Sequence, residues 1–166
     1  QRQMCIRDSP SHIGHIPEIL STYPNAKFIN IHRDPMESIA SFCSLAKNIR
    51  SAFSKNVNPK EIGDVILDFW QHNLNKGIEA KKKLLEDQIV DISYSDFIND
   101  PLATIKNIYI RLGLDIDIQT ENRMKKYLLG QNEIKKQKHI YSVEDFGLNE
   151  EKINIHLENY IMNNNF

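Results

Sequence analysis

The sequence has little of what marks several large protein classes. It contains two cysteines, Cys5 and Cys43, too few for a disulfide framework and without the spacing of metal ligands, which favours a reducing, cytoplasmic location. No apolar run approaches the roughly 18 residues of a membrane span. Its 21 Lys and Arg against 22 Asp and Glu leave a net charge of -1, so it lacks the cationic surplus of a general nucleic-acid or acidic-membrane binder.

What the sequence does contain is typical of a folded globular domain. Hydrophobic residues make up 40% and charged residues 26% of the 166 residues, which argues against a disordered chain and predicts one domain. The first nine residues, QRQMCIRDS, show no apolar period and are predicted to be a non-native leader. We therefore expect the domain over residues 10–162 and a frayed tail over residues 163–166.

Helical and extended patterns alternate along this domain. Two short segments that include β-formers, Lys27–His32 and Gln88–Tyr94, predict strands. Apolar periodicity, caps and prolines predict helices over residues 11–22, 35–49, 59–86 (with a break near Gly77), 101–112, 120–129 and 150–162. The alternation favours an α/β fold with parallel strands. Two strands are few for a stable open sheet, so either more strands escape detection or part of the domain lies outside this chain.

The strongest local motif joins a strand to a helix through Arg33. Asp34 and Pro35 suit a helix N-cap and first position, and Glu37 completes a capping-box pattern. In open α/β sheets, ligands bind beyond the carboxyl ends of the strands, where a helix N-terminus offers free N–H groups. Arg33 and the hydroxyl of Ser41 can therefore clamp a phosphate. The alternative is an arginine that pairs with a neighbouring carboxylate.

The sequence around Arg33 resembles the 3′-phosphate-binding segment of PAPS-dependent sulfotransferases; it reads YPNAKFINIHRDPMESIASFCSL. In that family a strand ends in Arg and a Ser follows eight residues later, as Arg33 and Ser41 do here. The resemblance implies that these two residues hold the 3′-phosphate of the donor PAPS, which leaves the reaction as adenosine 3′,5′-bisphosphate.

Two further segments match the family in order. The segment SPSH at 9–12 is similar to the one after the family's central strand, which implies that His12 is the base that deprotonates the acceptor hydroxyl. The segment YSDF at 94–97 is similar to the family's Tyr-Glu-Asp-Leu segment, which implies that Tyr94 contacts the adenine. The alternatives are a surface histidine at a helix start and an aromatic core residue at the sheet edge.

A lysine-rich segment near the carboxyl end completes the resemblance. The run KHIYSVEDFGL, which starts at Lys138, resembles the carboxy-terminal segment of bacterial and tyrosylprotein-type sulfotransferases. The resemblance implies that Lys138 folds over the 3′-phosphate, with Lys135 and Lys136 as substitutes. A solvated lysine-rich loop is the alternative.

The resemblance implies a P-loop-NTPase-like layered fold, helix-rich, with a short parallel sheet and with the family's amino-terminal part missing. The implied reaction is an in-line transfer of a sulfuryl group from PAPS to an acceptor hydroxyl, without a metal. The acceptor stays open among a carbohydrate, a small alcohol or phenol and a peptide tyrosine, and Phe69, Trp70 and His72 are candidates to line its pocket or the core. Because the sequence contains no glycine-rich phosphate loop, we expect this chain alone to be inactive.

Two other hypotheses remain at this point. One is a P-loop-type small-molecule kinase relative, which shares the α/β layering and the arginine at the strand end but needs a Walker loop. The other is a non-catalytic helical interaction module, supported by the high predicted helix content and the incomplete active site.

Overall fold

The computed structural model of the chain describes residues 9–131 and 142–164. Residues 1–8 of the predicted leader, including Cys5, and the three candidate lysines 135, 136 and 138 lie outside the described residues. The elements in chain order are a 3-10 turn Pro10–His15, α1 Ile16–Thr22, β1 Phe28–His32, α2 Pro35–Ser51, α3 Pro59–Lys81, β2 Ile89–Ser93, α4 Tyr94–Asn99, α5 Pro101–Arg111, α6 Ile118–Gln131, a 3-10 turn Glu144–Phe146, α7 Glu150–His156 and α8 Glu158–Asn164.

The two strands form a parallel sheet whose register runs from the pair Phe28–Ile89 to the pair His32–Ser93. This confirms the predicted parallel α/β arrangement. On one face of β2, Val90 and Ile92 are buried in a small core that includes Ile108 and Leu112 at the end of α5. On β1, Ile29 and Ile31 pair with these two β2 residues but are more than half exposed.

The main hydrophobic core lies between α2, α3 and the carboxy-terminal helices. Helix α3 contacts α2, α7, α8 and both 3-10 turns, so it is the central element of this layer. On α3, Ile62 and Ile66, which belong to the predicted apolar face, are buried in this core together with Leu67. The other buried members of this core are Ile39, Ala40, Cys43, Val143, Phe146, Leu148, Ile153 and Leu157.

Short polar side chains begin the helices at the predicted positions. Asp34 Oδ1 accepts a hydrogen bond from the Met36 N–H at 2.7 Å, and Asp100 Oδ1 accepts one from the Ala103 N–H at 3.0 Å. In each case a proline follows the capping residue, where its missing N–H costs nothing. The strand–helix junction that carries Arg33 is therefore fixed by local chemistry.

The largest differences from the predicted helix bounds are at the start of the first helix and at the end of α3. The first helix starts as a 3-10 turn, and the α-helix begins only at Ile16 because Pro17 has no N–H for an interior hydrogen bond. Helix α3 is continuous through Gly77 and ends at Lys81. A Cβ at position 77 would lie 2.5 Å from the Ile13 side chain, so this glycine allows close packing and does not break the helix.

The structure also contains two more helices than predicted in the regions after β2 and after Asn149. The residues after β2 form a short helix that was not predicted, α4, which begins because Ser93 Oγ accepts a hydrogen bond from the Ser95 N–H at 3.2 Å. Tyr94 is consequently the first residue of α4 and not the last residue of the strand. The last predicted helix is divided at Leu157 into α7 and α8, and α8 extends to Asn164 within the predicted tail.

Candidate functional site

Arg33 and Tyr94 meet at the carboxyl edge of the sheet. Each is the first residue after its strand, and the register places His32 opposite Ser93, so the next residues of both strands leave the sheet side by side. The guanidinium carbon of Arg33 lies 4.8 Å from the centroid of the Tyr94 ring, a cation–π contact. A planar cation and an aromatic face thus lie together where open α/β sheets bind ligands.

The guanidinium group of Arg33 also pairs with Glu37. Arg33 Nε and Nη2 donate to Glu37 Oε2 at 3.1 and 2.7 Å. The predicted capping-box role of Glu37 is therefore not seen, since its carboxylate turns toward the charged arginine. Both side chains are about half exposed, and an exposed pair of this kind contributes only about 0–1 kcal/mol. A dianionic phosphate can displace such a weakly held partner.

The other predicted site residues lie on separate elements. Ser41 is half-buried on α2, six residues after Pro35 and hence about 9 Å along the helix axis. His12 is half-buried in the first 3-10 turn, which packs against α3. Neither residue takes part in the Arg33–Tyr94 contact. Lys138 lies outside the described residues, so the structure describes neither it nor the two substitute lysines.

A polar cluster that the sequence analysis missed lies between the strands and α3. Its centre is Asp91 on β2, whose Oδ1 lies 2.7 Å from His32 Nε2 and 2.7 Å from Lys81 Nζ. Asn30 Nδ2 donates to the same oxygen at 2.8 Å. His32 Nδ1 lies 3.0 Å from the hydroxyl of Tyr160 on α8. The cluster therefore links β1, β2, α3 and α8 just before the carboxyl ends of the strands.

The electrostatics of this cluster favour a charged carboxylate. Burial alone would raise the pKa of Asp91, but hydrogen bonds from His32, Lys81 and Asn30 outweigh burial and hold that pKa well below its usual range. A signal for the cluster does exist in the sequence. Asn30 and His32 alternate with isoleucines along β1, so one face of this strand is polar, although only the register shows that Asp91 faces it.

The residues considered for an acceptor pocket form an aromatic group between α2 and α3. Phe42 and Phe69 stack with ring centroids 6.5 Å apart, and the Trp70 ring stands edge-on to both at 5.4 and 5.6 Å. Trp70 packs against the main core, whereas Phe69 is partly exposed and His72 is exposed. Of these residues, Trp70 has a packing role in the structure.

No helix among the described residues combines the length and the apolar character needed to cross a membrane.

The known proteins that the chain resembles are sulfotransferases. A sequence model of the Sulfotransferase family matches residues 1–118. The chain is 26% identical over 146 residues to the omega-hydroxy-beta-dihydromenaquinone-9 sulfotransferase Stf3 of Mycobacterium bovis and to that of Mycobacterium tuberculosis. The alignment covers 87% of this chain and 37% of each relative.

Two solved structures share the fold. Sulfotransferase STF9 from Mycobacterium avium superposes with a TM-score of 0.83 at 22% identity, over 93% of this chain and 40% of that one. Sulfotransferase STF1 from Mycobacterium tuberculosis superposes with a TM-score of 0.77 at 28% identity, over 91% and 38%. The chain therefore has the P-loop-NTPase-like layered fold that was predicted, and it spans about two fifths of the length of these proteins.

Proposed function

Because the chain belongs to the sulfotransferase family, we propose that it forms the nucleotide-binding part of an enzyme that transfers a sulfuryl group from PAPS to a hydroxyl. In this proposal Arg33 and Ser41 hold the 3′-phosphate, Tyr94 contacts the adenine, and Lys138 adds a cation over the phosphate. His12 accepts the proton of the attacking hydroxyl. The family membership favours sulfuryl transfer over the kinase and interaction-module hypotheses.

The observation that carries this proposal is the contact between Arg33 and Tyr94. The guanidinium fork suits the oxygens of a phosphate, and the ring, one face of which lies under the guanidinium group, leaves its other face for a purine in this proposal. The N-terminus of α2, with 17 residues, begins two residues after Arg33 and adds the positive end of a helix dipole. The present residues thus fit an adenine nucleotide that carries a 3′-phosphate.

PAPS supplies the reactive sulfuryl group when it is bound, and the sequence contains no glycine-rich loop to hold its 5′-phosphosulfate end. We therefore propose that this chain alone binds the nucleotide without transferring the sulfuryl group. The two mycobacterial relatives are named for a hydroxylated dihydromenaquinone acceptor. By analogy we propose a small-molecule acceptor here, in preference to a carbohydrate or a peptide tyrosine.

Calorimetric titration with adenosine 3′,5′-bisphosphate and with adenosine 5′-monophosphate tests the proposal. A charged phosphate contact is worth about 1.5–3 kcal/mol, so Arg33→Ala should weaken bisphosphate binding by about tenfold or more. The monophosphate lacks the 3′-phosphate, and its affinity should change little. Arg50→Ala, which removes an exposed arginine from the last turn of the same helix, is the matched control and should bind both nucleotides like the wild type. Equal loss of both nucleotides in Arg33→Ala would contradict the assignment.

A further inference from the structure

Tyr160 connects the carboxy-terminal helix to the strand end that bears Arg33. Its hydroxyl lies 3.0 Å from Nδ1 of His32, the last residue of β1, and faces the main-chain N–H of Arg33, the next residue. The strand pairing ends at His32 and Ser93, so this N–H belongs to the first residue beyond the ladder. A side chain 128 residues away from His32 thus contacts the strand end immediately before Arg33.

The hydroxyl of Tyr160 is itself held firmly. Its ring packs against the main core and lies 5.6 Å from the His32 ring between centroids. Burial raises the pKa of Tyr160 to about 12, so the O–H group persists at neutral pH. A neutral His32 can accept from this hydroxyl at Nδ1 and donate from Nε2 to Asp91, which Lys81 also holds.

The side chain of Arg33 lacks comparable support. Its contacts are the exposed ion pair with Glu37 and the ring of Tyr94, a partly exposed residue. Exposed contacts of these kinds contribute about 1 kcal/mol or less each. The position of the guanidinium group therefore depends mainly on the backbone conformation at Arg33. Because the side chain is long, a small rotation of that backbone moves the guanidinium group by a larger distance.

We propose that Tyr160 is a positioning residue for the anion site, which fixes the Arg33 backbone so that the guanidinium group faces the 3′-phosphate. This inference rests on the proposed function, because that function identifies the anion. If Tyr160 has this role, α8 contributes to the anion site through it, although α8 is distant from Arg33 in the sequence and none of its residues is predicted to contact the nucleotide.

Tyr160→Phe tests this inference because it keeps the packed ring and removes only the hydroxyl. The measurements are amide hydrogen exchange at Arg33 in the ligand-free protein and the affinities for adenosine 3′,5′-bisphosphate and adenosine 5′-monophosphate. We expect about tenfold faster exchange at Arg33 and about three- to tenfold weaker binding of the bisphosphate, the effect of one lost hydrogen bond. Monophosphate binding should stay within about twofold of the wild type, since it lacks the group that Arg33 faces.

Ile161→Ala is the matched control, since Ile161 is partly buried on the same helix and packs against the same core. This variant should lower the melting temperature. It should not change the exchange rate of the Arg33 amide relative to neighbouring amides, nor the ratio of the affinities for the bisphosphate and the monophosphate. If Ile161→Ala weakened bisphosphate binding as strongly as Tyr160→Phe, the effect would be general destabilisation and the inference would be wrong.

Two other outcomes would overturn the inference directly. Unchanged Arg33 exchange in Tyr160→Phe would mean that the hydroxyl does not hold this backbone, and faster exchange with unchanged bisphosphate affinity would mean that the backbone does not aim the side chain. A wild-type protein that does not bind the bisphosphate would instead reject the proposed function. In that case exchange at Arg33 would still decide whether Tyr160 holds the backbone there.

Discussion

The guanidinium carbon of Arg33 lies 4.8 Å from the centroid of the Tyr94 ring, although 60 residues separate the two in the sequence. The parallel register accounts for this contact, because it aligns the last residues of β1 and β2 and lets both next residues emerge at one edge. The cation and the aromatic ring therefore meet at one edge of the sheet, and in the proposed function they receive the phosphate and the base of one nucleotide.

Tyr94→Ala is predicted to weaken the binding of adenosine 3′,5′-bisphosphate by about fivefold or more, because loss of base stacking on an aromatic ring costs about 1–3 kcal/mol. Tyr94→Phe keeps the ring and should stay within about twofold. Calorimetry measures both, and Tyr23→Ala at an exposed tyrosine is the control. If Tyr94→Phe lost as much affinity as Tyr94→Ala, the hydroxyl and not the ring would make the contact.

Local chemistry made the strand–helix junctions predictable from the sequence. The junction of β1 with α2 at Asp34-Pro35 and the start of α5 at Asp100-Pro101 need only neighbouring residues to form, and the structure shows both. The unpredicted α4 lies between β2 and α5. The parallel arrangement followed from the alternation of strands and helices. The alignment of the two strand ends is what brings Arg33 and Tyr94 together at one edge of the sheet.

The features that escaped prediction depend on residues far apart in the chain. The Asp91 cluster joins side chains from four elements, and no sequence period indicates which of them meet. Gly77 was interpreted as a helix break, since only the packed position of Ile13 shows why a residue without a Cβ is needed there. The capping-box interpretation of Glu37 failed for a related reason, because the charged Arg33 side chain competes for the same carboxylate.

His12 is predicted to act in chemistry and not in nucleotide binding. If the proposed function holds, His12→Gln in a complete sulfotransferase that includes residues 9–164 should lower turnover by about a hundredfold or more, the usual contribution of a general base. The affinity for adenosine 3′,5′-bisphosphate should not change. His15→Gln, in the same 3-10 turn but exposed, is the matched control and should leave turnover near the wild-type value. Equal losses in the two variants would argue against a base at His12.

Gly63 on α3 is predicted to be intolerant of any side chain. A Cβ there would lie 2.1 Å from the backbone carbonyl oxygen of Phe146, which cannot rotate away as a flexible side chain can. Gly63→Ala should therefore lower the free energy of unfolding by about 1–3 kcal/mol. Gly130→Ala on α6 is the control, because nothing lies within 4 Å of its Cβ position and alanine favours a helix by up to about 1 kcal/mol. Urea denaturation should show opposite signs for the two variants, and a neutral Gly63→Ala would contradict this packing.

Asp91 is predicted to make the stability of the fold depend on pH below about 4. Because hydrogen bonds in the folded protein hold the pKa of Asp91 below its unfolded value of about 4, its carboxylate stabilises the fold above that pH. This contribution is lost progressively as the pH falls from about 4 toward the folded pKa. Asp91→Asn should therefore lower the free energy of unfolding at pH 7 by about 1–2 kcal/mol, a range that allows for the 38% exposure of the side chain.

Urea denaturation of the wild type and of Asp91→Asn at pH 7, 5, 4 and 3 measures this dependence. The difference between the two proteins should be smaller at pH 3 than at pH 7, because at pH 3 the wild type loses the contribution that the variant never has. Asp87→Asn, which removes an exposed ion pair with Lys27, should cost no more than about 1 kcal/mol at pH 7. A difference for Asp91→Asn that stays the same at pH 3 as at pH 7 would show that the ionised carboxylate is not what stabilises the junction of β1, β2 and α3.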